Sequence, residues 1–194
     1  MSPLHVTRRL VLEDKPLDDV TRVFSGAGYP LVVDIDEPER RGFHRQRAWE
    51  VIEGVRVFYV EDSLSQCAFV YTEGSDKETT EGMEPLLETQ FRTVSLDRLL
   101  SDLPDPATAT ERDNQKILRA GLGAPNACDP AFLGTFTRLL RSPEPQVRLA
   151  TAWALSYSAW PEALPVVREA MAMETDTDVL SVLGALREGL VEKR

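Results

Sequence analysis

The sequence predicts an α+β chain: a small, mainly antiparallel sheet with one packed helix, followed by an all-helical domain of three helix pairs. Three observations carry this reading. Short alternating apolar segments cluster before residue 72. From Ser95 onward, proline-punctuated segments with helical apolar spacing replace them. The 194 residues, 42% hydrophobic and 28% charged, suffice for two small domains with separate cores. The change of character sets domains at 1–94 and 95–194.

The first domain reads in order. Leu4 to Leu12 alternates as a strand. Pro16 to Phe24 has a helix start and places Leu17, Val20, Val23 and Phe24 on one side, with Gly26 and Gly28 closing it. Leu31 to Ile35 is a second strand. Arg45 to Ile52 is a third, with Arg47, Trp49 and Val51 on one face. Glu53-Gly54 signals a tight turn into a fourth strand, Val55 to Val60, and Gln66 to Thr72 is a fifth. Thr72 to Glu88 is rich in carboxylates, with Lys77 as its single base. It reads as a solvated acidic loop whose second half enters a helix, with Met83, Leu86, Leu87 and Phe91 on one side.

The second domain reads as six helices in three pairs: Ser95–Leu100, Thr110–Gly123, Pro130–Arg141, Gln146–Ser158, Pro161–Glu174 and Thr177–Glu192. Gly121-Leu122-Gly123 ends a helical pattern and reads as a C-cap. A shift of 32 residues lays Leu139 on Met171 and Val147 on Val179. A single helix pair cannot bury its own apolar face, so such units must stack.

The segment Leu139-Leu140-Arg141-Ser142-Pro143-Glu144-Pro145-Gln146-Val147-Arg148, followed by Ala150, Ala152, Ala154-Leu155 and Pro161-Glu162-Ala163-Leu164-Pro165, resembles a HEAT repeat. It is similar to the short bacterial type of phycobilisome-lyase-like proteins, over about residues 95–194. The resemblance implies a helical stack that binds other proteins, with tetrapyrrole lyases, chaperones and alkyl-base glycosylases as minority functions. Ser142 and Leu180 depart from the family's usual Asp and Arg, which puts an Asp–Arg ladder between repeats in doubt. Residues 1–94, through the helix ending at Gly28-Tyr29 and the strand pair Trp49 to Val60, are faintly similar to the type III secretion chaperone-like fold.

Composition excludes several classes. Lys and Arg total 22 against 32 Asp and Glu, a formal charge of −10, which opposes a phosphate backbone. Residues 95–194 hold 14 acids and 11 bases, so no basic face for DNA is expected there. The histidines His5 and His44 and the cysteines Cys67 and Cys128 have no metal-site spacing, and no metal or cofactor is expected. Cys128 precedes a helix start, which could lower its pKa, but it reads foremost as an incidental loop cysteine. No signal-like or membrane-spanning apolar run is present, so the expected home is the cytoplasm. Arg outnumbers Lys 18 to 4, as suits a GC-rich bacterial coding bias.

No nucleophile, base or phosphate-binding glycine loop converges on a catalytic pattern, so the expected function is non-enzymatic. The expected partner is another protein. Leu149, Trp153, Ser156 and Trp160 share one helical stripe and form the candidate binding face, or else pack on the first domain. Arg40, Arg41, Arg45 and Arg47, with Glu78, Glu81 and Glu84, are possible electrostatic contacts. The leading reading is an adaptor, scaffold or chaperone-like module. The alternatives are an acidic inhibitor or immunity-type protein that captures a basic enzyme, and a tetrapyrrole lyase or DNA-repair enzyme on the same scaffold.

Overall fold

The computed structural model describes residues 3–14, 16–36 and 43–192. The fold is α+β, and the chain divides into two compact units, residues 1–94 and 95–194.

The first unit is a sheet of six antiparallel strands. They are β1 (His5–Val6), β2 (Leu10–Val11), β3 (Leu31–Ile35), β4 (Phe43–Ile52), β5 (Val55–Asp62) and β6 (Ala68–Gly74), in the order β1-β6-β5-β4-β3, with β2 also on β6. The continuous strand expected over 4–12 is broken. Val6 pairs with Glu73 and Leu10 with Val70, four steps on one strand against three on the other. One extra residue bulges out. The Thr7 hydroxyl oxygen accepts the Thr72 N–H at 2.9 Å, and the Arg8 side chain leaves the ladder for a helix. The turn between β4 and β5 is the expected one. Gly54 has φ +75°, and its N–H donates to the Glu50 carboxylate.

Two helices, rather than the single one expected, pack into the core on the sheet's inner face. They are α1 (Leu17–Gly26) and α2 (Lys77–Gln90). Val20 and Phe24 of α1, Leu87 of α2 and Phe91 just beyond it meet Trp49, Val57, Tyr59 and Val70. Phe24 stacks on Trp49 at 5.1 Å between ring centres. The helix expected in the second half of the acidic segment starts earlier: α2 begins at Lys77, where the Asp76 carboxylate caps it by accepting the Thr79 N–H at 2.8 Å. On the sheet's other face Phe58 stacks on Tyr71 at 4.8 Å, and Arg9 lies over the Phe69 ring. Burial and the charge of Glu73 push the Tyr71 phenol up to about 12.

After α2 the chain turns back along the outer edge of β2. Glu13 donates to the Arg92 carbonyl at 3.0 Å, Val94 donates to the Val11 carbonyl at 2.8 Å, and Leu12 bridges Thr93. The edge that would otherwise expose its amides is therefore covered.

The second unit contains α3 (Leu96–Ser101), α4 (Asn114–Gly123), α5 (Pro130–Leu139), α6 (Pro145–Ser158), α7 (Leu164–Met173) and α8 (Thr177–Glu192). Helix α3 packs on α4, α5 on α6 and α7 on α8, while α6 also lies against both α4 and α8. The starts are chemically explicit. Asp129 accepts from the Ala131 and Phe132 amides ahead of Pro130, and Glu144 precedes Pro145. Gly121 is not a C-cap, since α4 runs on through Gly123. A Cβ at residue 121 would lie 2.5 Å from the Ala154 carbonyl oxygen, so glycine is what lets α4 approach α6. Phe132, Phe136, Leu139, Leu155, Leu164 and Leu183 are fully buried in this unit.

Candidate functional site

Helix α6 is enclosed on most of its circumference. Val147, Ala150, Thr151, Ala152, Ala154 and Leu155 are all buried. The small residues among them let neighbouring helices come close, and they leave one narrow strip facing outward. On that strip Trp153 is 39% exposed. Leu149 and Ser156 flank it half-buried, and the Ser156 hydroxyl donates to the Ala152 carbonyl at 3.0 Å.

Trp160 does not share the strip. Ala159 adopts a left-handed conformation (φ 46°) and ends α6, and the chain then turns the indole inward. Trp160 is 1% exposed; its Nε1–H donates to the Pro125 carbonyl at 2.9 Å, and its ring lies 6.4 Å from Phe136. Both neighbours belong to the helical unit. The helical period from residue 149 to 160 fails because the helix stops before its last member.

The charged candidates lie in the other unit and are mostly occupied within it. Arg40 and Arg41 fall outside the described residues. Arg47 reaches Asp34 at 2.6 Å and donates to the Ile35 carbonyl. Arg45 reaches Asp36 and Glu61, each at 3.3 Å. Burial opposes its charge, but the hydrogen bond to Asp36 and the fields of Glu61 and Asp36 outweigh this and raise its pKa. Tyr59 donates to Glu61 at 2.9 Å, and burial together with that carboxylate drives its phenol pKa well above the ordinary value. Glu84 and Glu88 clasp the buried Arg8, at 3.2 and 2.6 Å. Glu81 faces Lys77 at 3.8 Å, and Glu78 is exposed. The two acids one helical turn apart were the sequence signal for that clasp. Its cation lies 76 residues from Glu84, beyond the reach of local pattern.

A second charged centre lies inside the helical unit. Arg148 Nε and Nη2 meet Glu174 at 2.7 and 2.8 Å, and Nη1 donates to the Ser142 and Pro143 carbonyls. Glu174 also accepts the Thr175 and Asp176 amides. The guanidinium, followed by these amides, holds the Glu174 carboxyl at about 2. A groove of about 590 Å³ opens beside the pair, lined by Leu140, Arg141, Ala170 and Met173. Arg141 pairs with Glu169 across it at 2.7 Å. Every polar group described here is matched within the chain, so the arrangement ties α6 to the end of α7.

Neither cysteine is in a disulfide. Cys128 lies before the α5 start as expected, but its thiol moves up, not down. Burial, Glu162 and Asp129 all disfavour the thiolate. Among the described residues no cluster of His, Cys, Asp and Glu could hold a metal ion, and no helix is long and apolar enough to cross a membrane.

No family model, no curated protein and no solved structure matches the chain.

Proposed function

We propose that this protein is a non-enzymatic interaction module of the cytoplasm, an adaptor, scaffold or chaperone-like protein. On this reading its helical unit, taken as a short HEAT-like stack, binds another protein along α6. The observation that supports this reading is Trp153. It is a large aromatic side chain, 39% exposed, on the single outward strip of an otherwise enclosed helix. Aromatic anchors of this kind dominate protein–protein binding energy, and a rigid helix presents them at low entropic cost. With Trp160 in the core, the binding face reduces to Leu149, Trp153 and Ser156.

The inhibitor reading draws on the net charge of −10 alone. Glu84 of the acidic segment, and Glu88 beside it, are already engaged by Arg8, and Glu81 faces Lys77, so much of the acidic charge of that helix is matched within its own unit.

The test is site-specific photo-crosslinking in native lysate, with the crosslinker placed at position 153 and, as a control, at the exposed Arg168. The expected result is one discrete adduct from position 153, absent from 168 and competed by the unlabelled protein but not by its Trp153→Ala form. Equal competition by the Trp153→Ala form, or the same adducts from both positions, would overturn the assignment.

A further inference from the structure

The two edges of the sheet are treated differently. Residues 92–94 cover the edge at β2. At the opposite edge, β3 has β4 on one side and no strand on the other among the described residues. Leu31 and Val32 are 45% and 42% exposed. An edge strand of this kind offers a row of backbone donors and acceptors to any extended chain of matching chemistry.

The register says which chemistry matches. Cross-strand partners share a face, and Leu31 pairs with Trp49 and Asp34 with Arg47. Leu31 and Asp34 therefore lie on the helix-covered side of the sheet. Asp36, which reaches Arg45, joins them. Val33 and Ile35, opposite Ala48 and Gln46, lie on the other side. The bulge at Val32 accounts for the change of step. Although each is in an ion pair, the Asp34 and Asp36 side chains remain 58% and 57% exposed. A strand running antiparallel to β3 meets, in order, an acid, an apolar residue, an acid, an apolar residue and the apolar Leu31 end.

We propose that the outer edge of β3 takes up an extended polypeptide segment as an added antiparallel strand, its sequence running basic, apolar, basic, apolar. The two aspartates act as the selector. They repel an acidic strand and leave the backbone edge open to a basic one. A second copy of this chain is the wrong occupant. Residues 1–94 carry 18 acidic and 11 basic residues, a balance of −7, so two copies repel as they approach.

The test uses the full chain and a short synthetic peptide in which two lysines alternate with valines, with glutamates replacing the lysines in the control. Binding is read by fluorescence anisotropy, and its location by amide hydrogen exchange. The expected result is salt-dependent binding of the lysine peptide, at least about tenfold tighter than the glutamate peptide, with exchange slowed over residues 31–35. In the Asp34→Asn/Asp36→Asn variant, checked for an unchanged unfolding temperature, the preference collapses while the slowed segment stays the same. If that variant is unstable, the exchange map of the wild type decides alone. Equal binding of the two peptides, no binding, slowed exchange elsewhere than β3, or concentration-dependent self-association that protects β3 would each overturn the proposal.

Discussion

Glu174 lies side-on to Arg148, with Oε2 facing Nε at 2.7 Å and Oε1 facing Nη2 at 2.8 Å. The carboxylate is 4% exposed and the guanidinium 15%. The two residues are 26 positions apart in the chain, and their pairing ties α6 to the end of α7. Ser142 contributes only its backbone carbonyl to Arg148; the acid comes from Glu174, between α7 and α8.

Glu174→Gln removes the charge and leaves a part-buried guanidinium without its counter-ion. The expected loss is about 3 kcal/mol of stability. Replacing both residues, as Arg148→Met with Glu174→Leu, should cost less than either single change. Urea unfolding of the three variants measures the difference.

Acid acts on the same carboxylate. Its pKa in the folded chain, about 2, lies below the ordinary 4.5, so its stabilising contribution is complete above about pH 4.5. It is lost as the pH falls from 4.5 toward 2. The expected contribution is on the order of 2–3 kcal/mol. Unfolding free energy measured from pH 6 to 2.5 should fall more steeply in the wild type than in Glu174→Gln.

Glycines in the helical unit should respond with opposite sign. Gly184→Ala meets nothing within 4 Å and gains helix propensity, so it should stabilise by about 0.5–1 kcal/mol. Gly121→Ala gains the same propensity but drives a methyl group into the Ala154 backbone. A net loss of about 1–3 kcal/mol is expected. Thermal unfolding of the pair checks the contrast.

The two tryptophans of the α6 region should separate in the same assay. Trp160→Ala opens a cavity beside Phe136 and orphans the Pro125 carbonyl, with an expected cost of about 3–5 kcal/mol. Trp153→Ala should stay within about 1 kcal/mol of the wild type. Similar losses from both would place Trp153 in the core and remove the candidate face.

Strand alternation at Val55 to Val60 and the Glu53-Gly54 turn were legible because each is local. The helix start at Pro130 was legible for the same reason, and that of α6 to within one residue. Trp160 was misplaced because α6 ends on a left-handed alanine, which carries no glycine or asparagine signal. Pro161 was the available hint, since a proline that opens the next turn sets the residue before it outside any helix. The break at Thr7 to Arg9 was hidden because its causes, Thr72 and Glu84, lie far along the chain. The asymmetry between the sheet's edges was hidden as well: nothing in Arg92 to Val94 reads as a strand.

That last pairing has a consequence for synthesis. Val94 donates to Val11, so the unit is closed by joining its first strands to its final residues. While the ribosome still shields residue 94, the sheet cannot finish this edge, and the nascent chain shows incomplete β structure to the cell's chaperones. The helical unit waits for less chain, since each helix packs on the next or the next but one, as α4 does on α6 and α6 on α8. Codon-level pausing just after residue 94 has emerged should therefore raise the yield of native protein more than pausing anywhere in the helical half.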